Sequence, residues 1–271
     1  MRRVVNQEIR TGSRFALGLL PFLMLMFAYV WGSQARLAAN PDDKLLPAPA
    51  TIGDTIRAYA LEEDMRSGQR LLWVDTSASL KRLFIALSVS AVIGTVFGVA
   101  IGSIPLVQAG LLPFVSAIAM IPPLAILPVL FIVLGLGEVA KITLIVVGVA
   151  PLIVRDLAMR VGELPREQII KAQTLGASSW QLILRVILPQ MWPRLIDALR
   201  LQLGCAWLFL IAAEAIASTE GLGYRIFLVR RYLAMDVILP YVAWITVLAF
   251  FMDWTLKTLR ARAFRWTEAA H

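Results

Sequence analysis

The chain has 271 residues, of which 59% are hydrophobic and only 16% are charged, and its mean hydropathy is +0.75. Soluble domains are nearer to half apolar and a quarter charged, so this composition argues against a soluble enzyme. The formal net charge of +8 does not indicate a nucleic-acid partner, because Lys and Arg flank apolar blocks, as cations at the edges of a bilayer do. With one cysteine, Cys205, and one histidine, His271, the chain has no disulfide framework and no paired Cys or His metal site.

Six apolar blocks predict an all-α, polytopic membrane protein with a single transmembrane domain over residues 1–271. The blocks approach the length of about 20 residues that crosses a hydrocarbon core. Met1–Arg14 is basic and precedes an apolar run, as in a signal peptide, but no clear cleavage site follows, so the first block is kept as a span. The spans are predicted at Phe15–Gly32, Leu83–Ser103, Leu111–Leu134, Val139–Val154, Ile196–Ala217 and Val237–Leu256.

An even number of spans places both termini on the same side of the membrane. If that side is the cytoplasm, the inner segments 1–14, 155–194 and 257–271 hold 14 Lys and Arg, and the outer segments hold 11. An excess of Lys and Arg marks the cytoplasmic side, so the count favours cytoplasmic termini.

The predicted external loop, residues 33–82, begins with a proline-rich stretch and continues as an amphipathic segment. Within Thr51–Asp64, Ile52, Ile56 and Tyr59 recur at helical spacing among charged residues. Such a segment is typical of a helix that lies along a membrane surface. A helix that only packs against the spans is the simpler alternative, and the sequence leaves both open.

The predicted inner loop, residues 155–194, carries the clearest local signals. Pro165 suits the first position of a helix, and Gly176 suits the left-handed position that ends one. Ser178-x-x-Gln181 matches a capping box that begins a second helix, and Pro189 is expected to end it. The pattern predicts two short helices joined at an elbow at Gly176, which is either a docking protrusion for another protein or an ordinary connector.

Prolines interrupt the third predicted span at Pro122, Pro123 and Pro128. Each removes a backbone donor and clashes with the preceding turn, so the helix is expected to break or kink there. Freed backbone groups are tolerated in a membrane only inside protein or beside a watery cavity. The break therefore either lines the solute path or serves packing alone.

Glu214 is the carboxylate most nearly embedded in a predicted span, and an intramembrane carboxylate is a functional candidate. Three roles are open for it: binding a cation or solute, pairing with an arginine, or facing water at the end of its helix. It is therefore placed, with the three prolines of the third span, among the candidate path residues.

Small residues recur at every fourth position of the second span, at Gly94, Gly98 and Gly102. Together they form one face on which a helix can approach closely. The face is expected to pack either within the chain or against a second copy.

The elbow matches a known pattern. The segment Ala172–Ser178, followed by Val186–Pro189, resembles the "EAA" signature of bacterial ATP-binding-cassette (ABC) importer permeases: Glu-Ala-Ala, three residues, Gly, nine residues, Ile, any residue, Leu-Pro. This chain departs from it at Ile170, where the family has Glu, and at Lys171, where it has Ala. The resemblance implies that the elbow is the helix that couples ATPase closure to the spans. The implied coupling residues are Lys171, Ala172, Leu175, Gly176, Ala177 and Ser178.

Further stretches resemble permeases of the nitrate/sulfonate/taurine type, in order and with matching separations over residues 45–266. The matching segments are Leu45–Pro49, Ile121–Pro128, Gly135–Ile142, Ala213–Ala217 and Gly221–Tyr224. The same resemblance implies the fold of a type I ABC importer permease in a bacterial inner membrane. It also implies a function, the uptake of a small polar solute that resembles nitrate, a sulfonate, taurine, bicarbonate or urea.

The resemblance implies partners as well. They are a second permease copy, separate ATPase subunits that bind ATP and Mg, an external or periplasmic solute-binding protein, and membrane lipid. This chain itself is expected to bind no cofactor and no metal, and to have no catalytic residue.

Two other classes of function remain as alternatives. A secondary transporter or channel working alone would be expected to contain an internal repeat of spans, and none is visible. A membrane-bound enzyme is disfavoured because the sequence lacks a histidine pair, a G-x-S-x-G turn and a phosphate-binding G-x-x-x-x-G-K loop.

Overall fold

The computed structural model describes residues 11–41, 43–65 and 67–267. Within these ranges the regular structure is entirely helical, as predicted. The α-helices are α1 Thr11–Ala39, α2 Pro49–Leu61, α3 Leu71–Ser103, α4 Pro105–Ile118, α5 Leu127–Leu134, α6 Glu138–Gly162, α7 Arg166–Thr174, α8 Ser179–Leu182, α9 Leu188–Ala217, α10 Leu222–Arg230 and α11 Met235–Ala263. Four of the arginines counted in the inner and outer segments, and the single histidine His271, lie outside the described residues; the arginines are Arg2, Arg3, Arg10 and Arg66.

The predicted number of spans agrees with the helices. Five helical stretches are long and apolar enough to cross a membrane: α1, α3, α6, the stretch Ser179–Ala217 and α11. The sixth candidate is a bent pair, α4 followed by Pro123–Leu134, with an angle of 78° between its halves. Most of these helices are longer than the predicted spans, because the helix continues at its ends into polar residues that the apolar pattern does not include.

The start of α3 was predicted wrongly. The helix begins at Leu71, twelve residues before the predicted start at Leu83. Asp75, Ser79 and Arg82 in this early part look like loop residues in the sequence, but all three are buried. They are buried because partners on other helices pair with them, which local sequence patterns do not reveal.

The glycine face of α3 packs within the chain, against α6. A Cβ added at Gly94 would lie 2.4 Å from Ile153 Cγ2, and one at Gly102 would lie 2.5 Å from Val161 Cβ. Gly98 between them is equally crowded. Only glycine permits this close approach of α3 and α6, and the matching order of the contacts along the two helices shows that they run in the same direction.

The first span stands apart from the rest of the bundle. None of the most apolar 18-residue stretch of α1 is buried. The last turns of α1 are held by the proline-rich stretch that follows it. Tyr29 Oη donates to the carbonyl oxygen of Pro47 at 2.7 Å, and Ser33 Oγ donates to the carbonyl oxygen of Leu46 at 3.0 Å.

The predicted surface helix is α2, which ends three residues before the predicted limit at Asp64. It packs against the first turns of α11. Thr55 Oγ1 lies 3.3 Å from Asp236 Oδ2, and the ring of Tyr59 meets the ring of Tyr241 edge-on at 5.9 Å. These contacts agree with the simpler alternative, a helix that packs against the spans.

Candidate functional site

The elbow ends α7 with the backbone geometry that was predicted from Gly176. Gly176 has a φ of +79°, a left-handed conformation that glycine adopts without a Cβ clash. The N–H of Ala177 donates to the carbonyl of Ala172 at 3.0 Å, and the N–H of Gly176 donates to that of Gln173 at 2.9 Å. These two bonds form a Schellman motif, which fixes the direction in which the chain leaves α7.

The second half of the elbow begins with the predicted capping box. The N–H of Ser178 donates to Gln181 Oε1 at 2.9 Å, and the N–H of Gln181 donates to Ser178 Oγ at 3.3 Å. Both orphan donors at the start of α8 are thereby paired. The start of this helix was predicted one residue too early, since Pro165 is the N-cap residue and α7 begins at Arg166.

Pro189 does not end the second helix, so that prediction was wrong. A π-helical segment, Ile183–Ile187, joins α8 to α9 without a break, and the N–H of Leu188 bonds to the carbonyl of Ile183, five residues back. The wider π turn leaves room for a proline that has no N–H to donate. The short helix that follows the elbow is consequently the first part of one continuous helix, Ser179–Ala217, of 39 residues.

The elbow presents most of the predicted coupling residues at its surface. The side chain of Leu175 is 87% exposed, and Trp180 is also exposed although both are apolar. Lys171, Gly176 and Ser178 are exposed as well, whereas the small side chains of Ala172 and Ala177 are half-buried beneath them.

The third span is broken at the prolines, as the sequence predicts. The helical path stops after α4 and resumes at Pro123 with a 3₁₀ turn that leads into α5. Pro122 and Pro128 are exposed on the surface of the chain, and Pro123 is half-buried. The three prolines thus surround the 78° bend and keep its backbone from closing into a straight helix.

Glu214, near the end of α9, pairs with an arginine. It is completely buried, and Arg82 Nη1 donates to its Oε1 at 2.8 Å. Ser79 Oγ donates to the same oxygen at 2.8 Å, and the N–H of Gly223 donates to Oε2 at 2.9 Å. Of the three roles considered for Glu214, the structure displays pairing with an arginine.

Arg82 connects three spans through its single guanidinium group. Its side chain is 3% exposed, and besides Glu214 it binds both carboxylate oxygens of Glu138, at 2.5 and 2.8 Å. Glu138 also accepts from Lys141 Nζ at 2.7 Å, and Lys141 donates to Ser218 Oγ at 2.9 Å. Helices α3, α6 and α9 are therefore tied together at one end of the bundle.

A second carboxylate of α3, Asp75, ties α10 and α11 to the same end. Asp75 is completely buried and accepts from the N–H of Gly221 at 2.9 Å, from Arg225 Nε at 2.8 Å and from Tyr241 Oη at 3.1 Å. Burial lowers the pKa of the Arg225 guanidinium, but its hydrogen bond to Asp75 and the charge of Asp75 outweigh burial, so the pKa of Arg225 is raised.

We call this set of linked residues the polar cluster. Its hydrogen-bonded side chains include three carboxylates and three cations, and a fourth carboxylate, that of Glu220, lies 3.8 Å from Arg82. Its members are Asp75, Ser79, Arg82, Glu138, Lys141, Glu214, Ser218, Gly221, Gly223, Arg225 and Tyr241.

Sequence reasoning identified only Glu214 as a candidate in this cluster. Arg82, Lys141 and Arg225 were counted only among the cations that flank apolar blocks, and the structure shows in addition that each binds a carboxylate of the cluster. The available signal was the spacing of Asp75, Ser79 and Arg82, which places them on one face of a helix. In the part of the chain that the structure describes, no group of three or more His, Cys, Asp or Glu is arranged to hold a metal ion.

A family model and several relatives match the chain. Residues 85–265 match the family described as "Binding-protein-dependent transport system inner membrane component". The taurine transport system permease protein TauC of Escherichia coli (strain K12) is 39% identical over 238 residues, which cover 88% of this chain and 85% of that protein. The bicarbonate transport system permease protein CmpB of Synechocystis is 28% identical, with 77% of this chain and 73% of that protein covered.

The fold also matches a solved structure. A chain of the MetNI methionine ABC transporter, in an inward-facing conformation, superposes with a TM-score of 0.61. The match covers 69% of this chain and 94% of that chain, at 21% sequence identity. The helical arrangement is thus that of a type I ABC importer permease, as the signature at the elbow implied.

Proposed function

This chain belongs to the family of binding-protein-dependent transport system inner membrane components, and we propose that its elbow at Gly176 is where separate ATPase subunits drive it. The chain is a multi-pass inner-membrane permease subunit of an ABC importer. In the proposed complex, the ATPases bind ATP and Mg and hydrolyse the nucleotide, while this chain supplies the path. Closure of the ATPases would then switch the spans between outward and inward access.

The continuity between the elbow and α9 carries this proposal. Two capping motifs hold the elbow at Gly176 and Ser178 in one geometry. From Ser179 the chain is helical to Ala217, about 58 Å at 1.5 Å per residue. A force applied at the elbow therefore moves the whole of this helix, instead of being lost in a flexible linker.

The other end of the same helix supports the proposed transmission. Glu214 lies at that end and is bound to Arg82 of α3, which also binds Glu138 of α6. Motion of α9 is thereby passed to the paired α3 and α6. We infer that Glu214, which is completely buried and bound to Arg82, holds the helices together and does not bind solute.

The solute path is proposed to run beside the broken third span. A complete path is formed with a second copy of the chain, and Pro122, Pro123 and Pro128 keep the backbone open at the bend. The proposed solute is small and carries an oxyanion, because the relatives named for taurine, bicarbonate and aliphatic sulfonates share that chemistry. An external solute-binding protein would deliver it.

The proposed orientation places the elbow and both termini in the cytoplasm, where ATP is available. The 14 Lys and Arg of the inner segments against 11 of the outer segments support this orientation. The polar cluster then lies at the external end of the bundle, together with α2 and α10.

The proposal is tested by reconstituting the complete importer with its ATPase and binding protein in proteoliposomes. Gly176→Val is expected to abolish ATP-driven uptake, because valine resists the positive φ that directs the elbow. Gly162→Val is the matched control, since this glycine ends α6 shortly before α7 begins, has open space around it and has no positive φ. Uptake by Gly176→Val at the wild-type rate would contradict the proposal. Solute uptake driven by an ion gradient, with this chain as the only protein, would also contradict it.

A further inference from the structure

The exposed face of α7 carries an unpaired cation beside apolar side chains. Lys171 is exposed, and no described acidic group lies within ion-pairing distance of it, although Glu167 is one turn earlier on the same helix. Residues four apart share a helix face, so Lys171 lies between Glu167 and Leu175. Leu175 is almost fully exposed, and Ile170, on the adjacent row, is 56% exposed.

Charge is unbalanced over the whole elbow. Between residues 166 and 185 the exposed ionic side chains are Arg166, Glu167, Lys171 and Arg185, which leaves a net positive charge. A membrane surface is a poor occupant for this face, because a helix that lies in a bilayer interface needs a continuous apolar face, whereas α7 also exposes Gln168, Gln173 and Thr174. A protein groove that combines an apolar pocket with negative charge is complementary to it.

We propose that the ATPase subunit presents a carboxylate to Lys171, next to an apolar pocket that receives Leu175, and that this ion pair selects the cognate ATPase. The inference rests on the proposed function and adds the chemistry of the partner. The signature at the elbow has alanine at the position of Lys171 and glutamate at that of Ile170. An ATPase whose groove suits that pattern would leave Lys171 without a counter-charge, and an unpaired charge in an interface is costly.

The test measures the affinity of the full-length permease in nanodiscs for its purified ATPase at low and high KCl. Lys171→Glu is expected to weaken binding at low salt by about tenfold or more, and Lys171→Gln is expected to weaken it less and to flatten its dependence on salt. Arg262→Glu is the matched control, because Arg262 is likewise an exposed cation in the last turn of a helix. It is expected to bind as the wild type does.

Two further variants separate this inference from the proposed function. If Leu175→Ser and Gly176→Val weaken binding but Lys171→Glu stays within about twofold of the wild type, the elbow docks the ATPase and the ion pair is refuted. If all three variants bind the ATPase as the wild type does, both the ion pair and the proposed docking of the ATPase at the elbow are refuted.

A compensating change identifies the carboxylate. The surface Asp and Glu of the ATPase are replaced by Lys one at a time and combined with the Lys171→Glu permease. We expect one replacement to restore both binding and uptake. Failure of every replacement to restore either would overturn the inference.

Discussion

Nη1 of Arg82 lies 2.8 Å from Oε1 of Glu214, and the two residues, on α3 and α9, are 132 positions apart in the chain. Both side chains are buried, so water cannot replace either partner. Removal of one member of such a pair leaves an uncompensated buried charge, which costs about 3–5 kcal/mol. The pair is therefore expected to control how firmly the spans are held at the end of the bundle that carries the polar cluster.

Replacement of Arg82 by alanine is the first test. Arg82→Ala is expected to lower the free energy of unfolding by about 3–5 kcal/mol, measured by thermal unfolding of the purified chain in detergent. Glu220→Ala is the control, since the half-exposed carboxylate of Glu220 lies 3.8 Å from Arg82 and contributes less than about 1 kcal/mol. Equal losses in the two variants would show that the buried pair of Arg82 and Glu214 contributes no more than the exposed pair with Glu220.

A double substitution tests whether the loss comes from the unpaired charge. Arg82→Met leaves the carboxyl group of Glu214 buried without its partner, whereas Arg82→Met combined with Glu214→Gln replaces that carboxyl group by a neutral amide. The double variant is expected to be more stable than Arg82→Met alone. Strictly additive losses, measured in the same unfolding assay, would show that the two residues are not coupled.

Gly221 offers a test of the backbone beside the cluster. Its φ is +126°, and a Cβ there would lie 2.6 Å from Glu214 Cδ. Gly221→Ala is expected to cost roughly 2–4 kcal/mol from backbone strain and overpacking together. Gly68→Ala is a reference for a positive φ without crowding, because Gly68 has a φ of +64° and open space around it. If both variants lose the same stability, the contact with Glu214 is not the cause.

The close approach of α3 and α6 predicts a size limit at Gly98. A Cβ at this position would lie 2.7 Å from Leu157 Cβ, so Gly98→Leu is expected to separate the two helices and to reduce the yield of folded protein. Gly18→Leu in α1 is the control, since nothing lies within 4 Å of a Cβ there. The monodisperse fraction after detergent extraction measures both, and comparable yields would contradict tight packing.

The elbow could be predicted from the sequence because its determinants are local. The glycine that ends α7 and the capping box at Ser178 each involve residues within five positions of one another, and short patterns report such contacts directly. Pro189 was misjudged because the rule that proline ends a helix assumes α-helical bonding. The backbone before it forms a π-helical turn instead, which the sequence pattern does not indicate.

The polar cluster could not be predicted because its contacts are distant in sequence. Asp75 and Arg225 are 150 positions apart. Taken singly, a charged residue at the end of an apolar block is more often an exposed anchor than a buried partner. The number of spans was predictable because it depends on composition along the chain, whereas the early start of α3 depends on partners from α9, α10 and α11.

Photo-crosslinking from the elbow in the intact importer tests whether the ATPase subunit docks there. A photoreactive amino acid replaces Leu175, which is nearly fully exposed beside Gly176, and a matched one replaces Arg262 on the last turn of α11. Irradiation of importers that retain ATP-driven uptake is predicted to attach the ATPase subunit to position 175 and not to position 262. An active importer in which position 175 captures no ATPase would contradict the assignment of the elbow as the coupling surface.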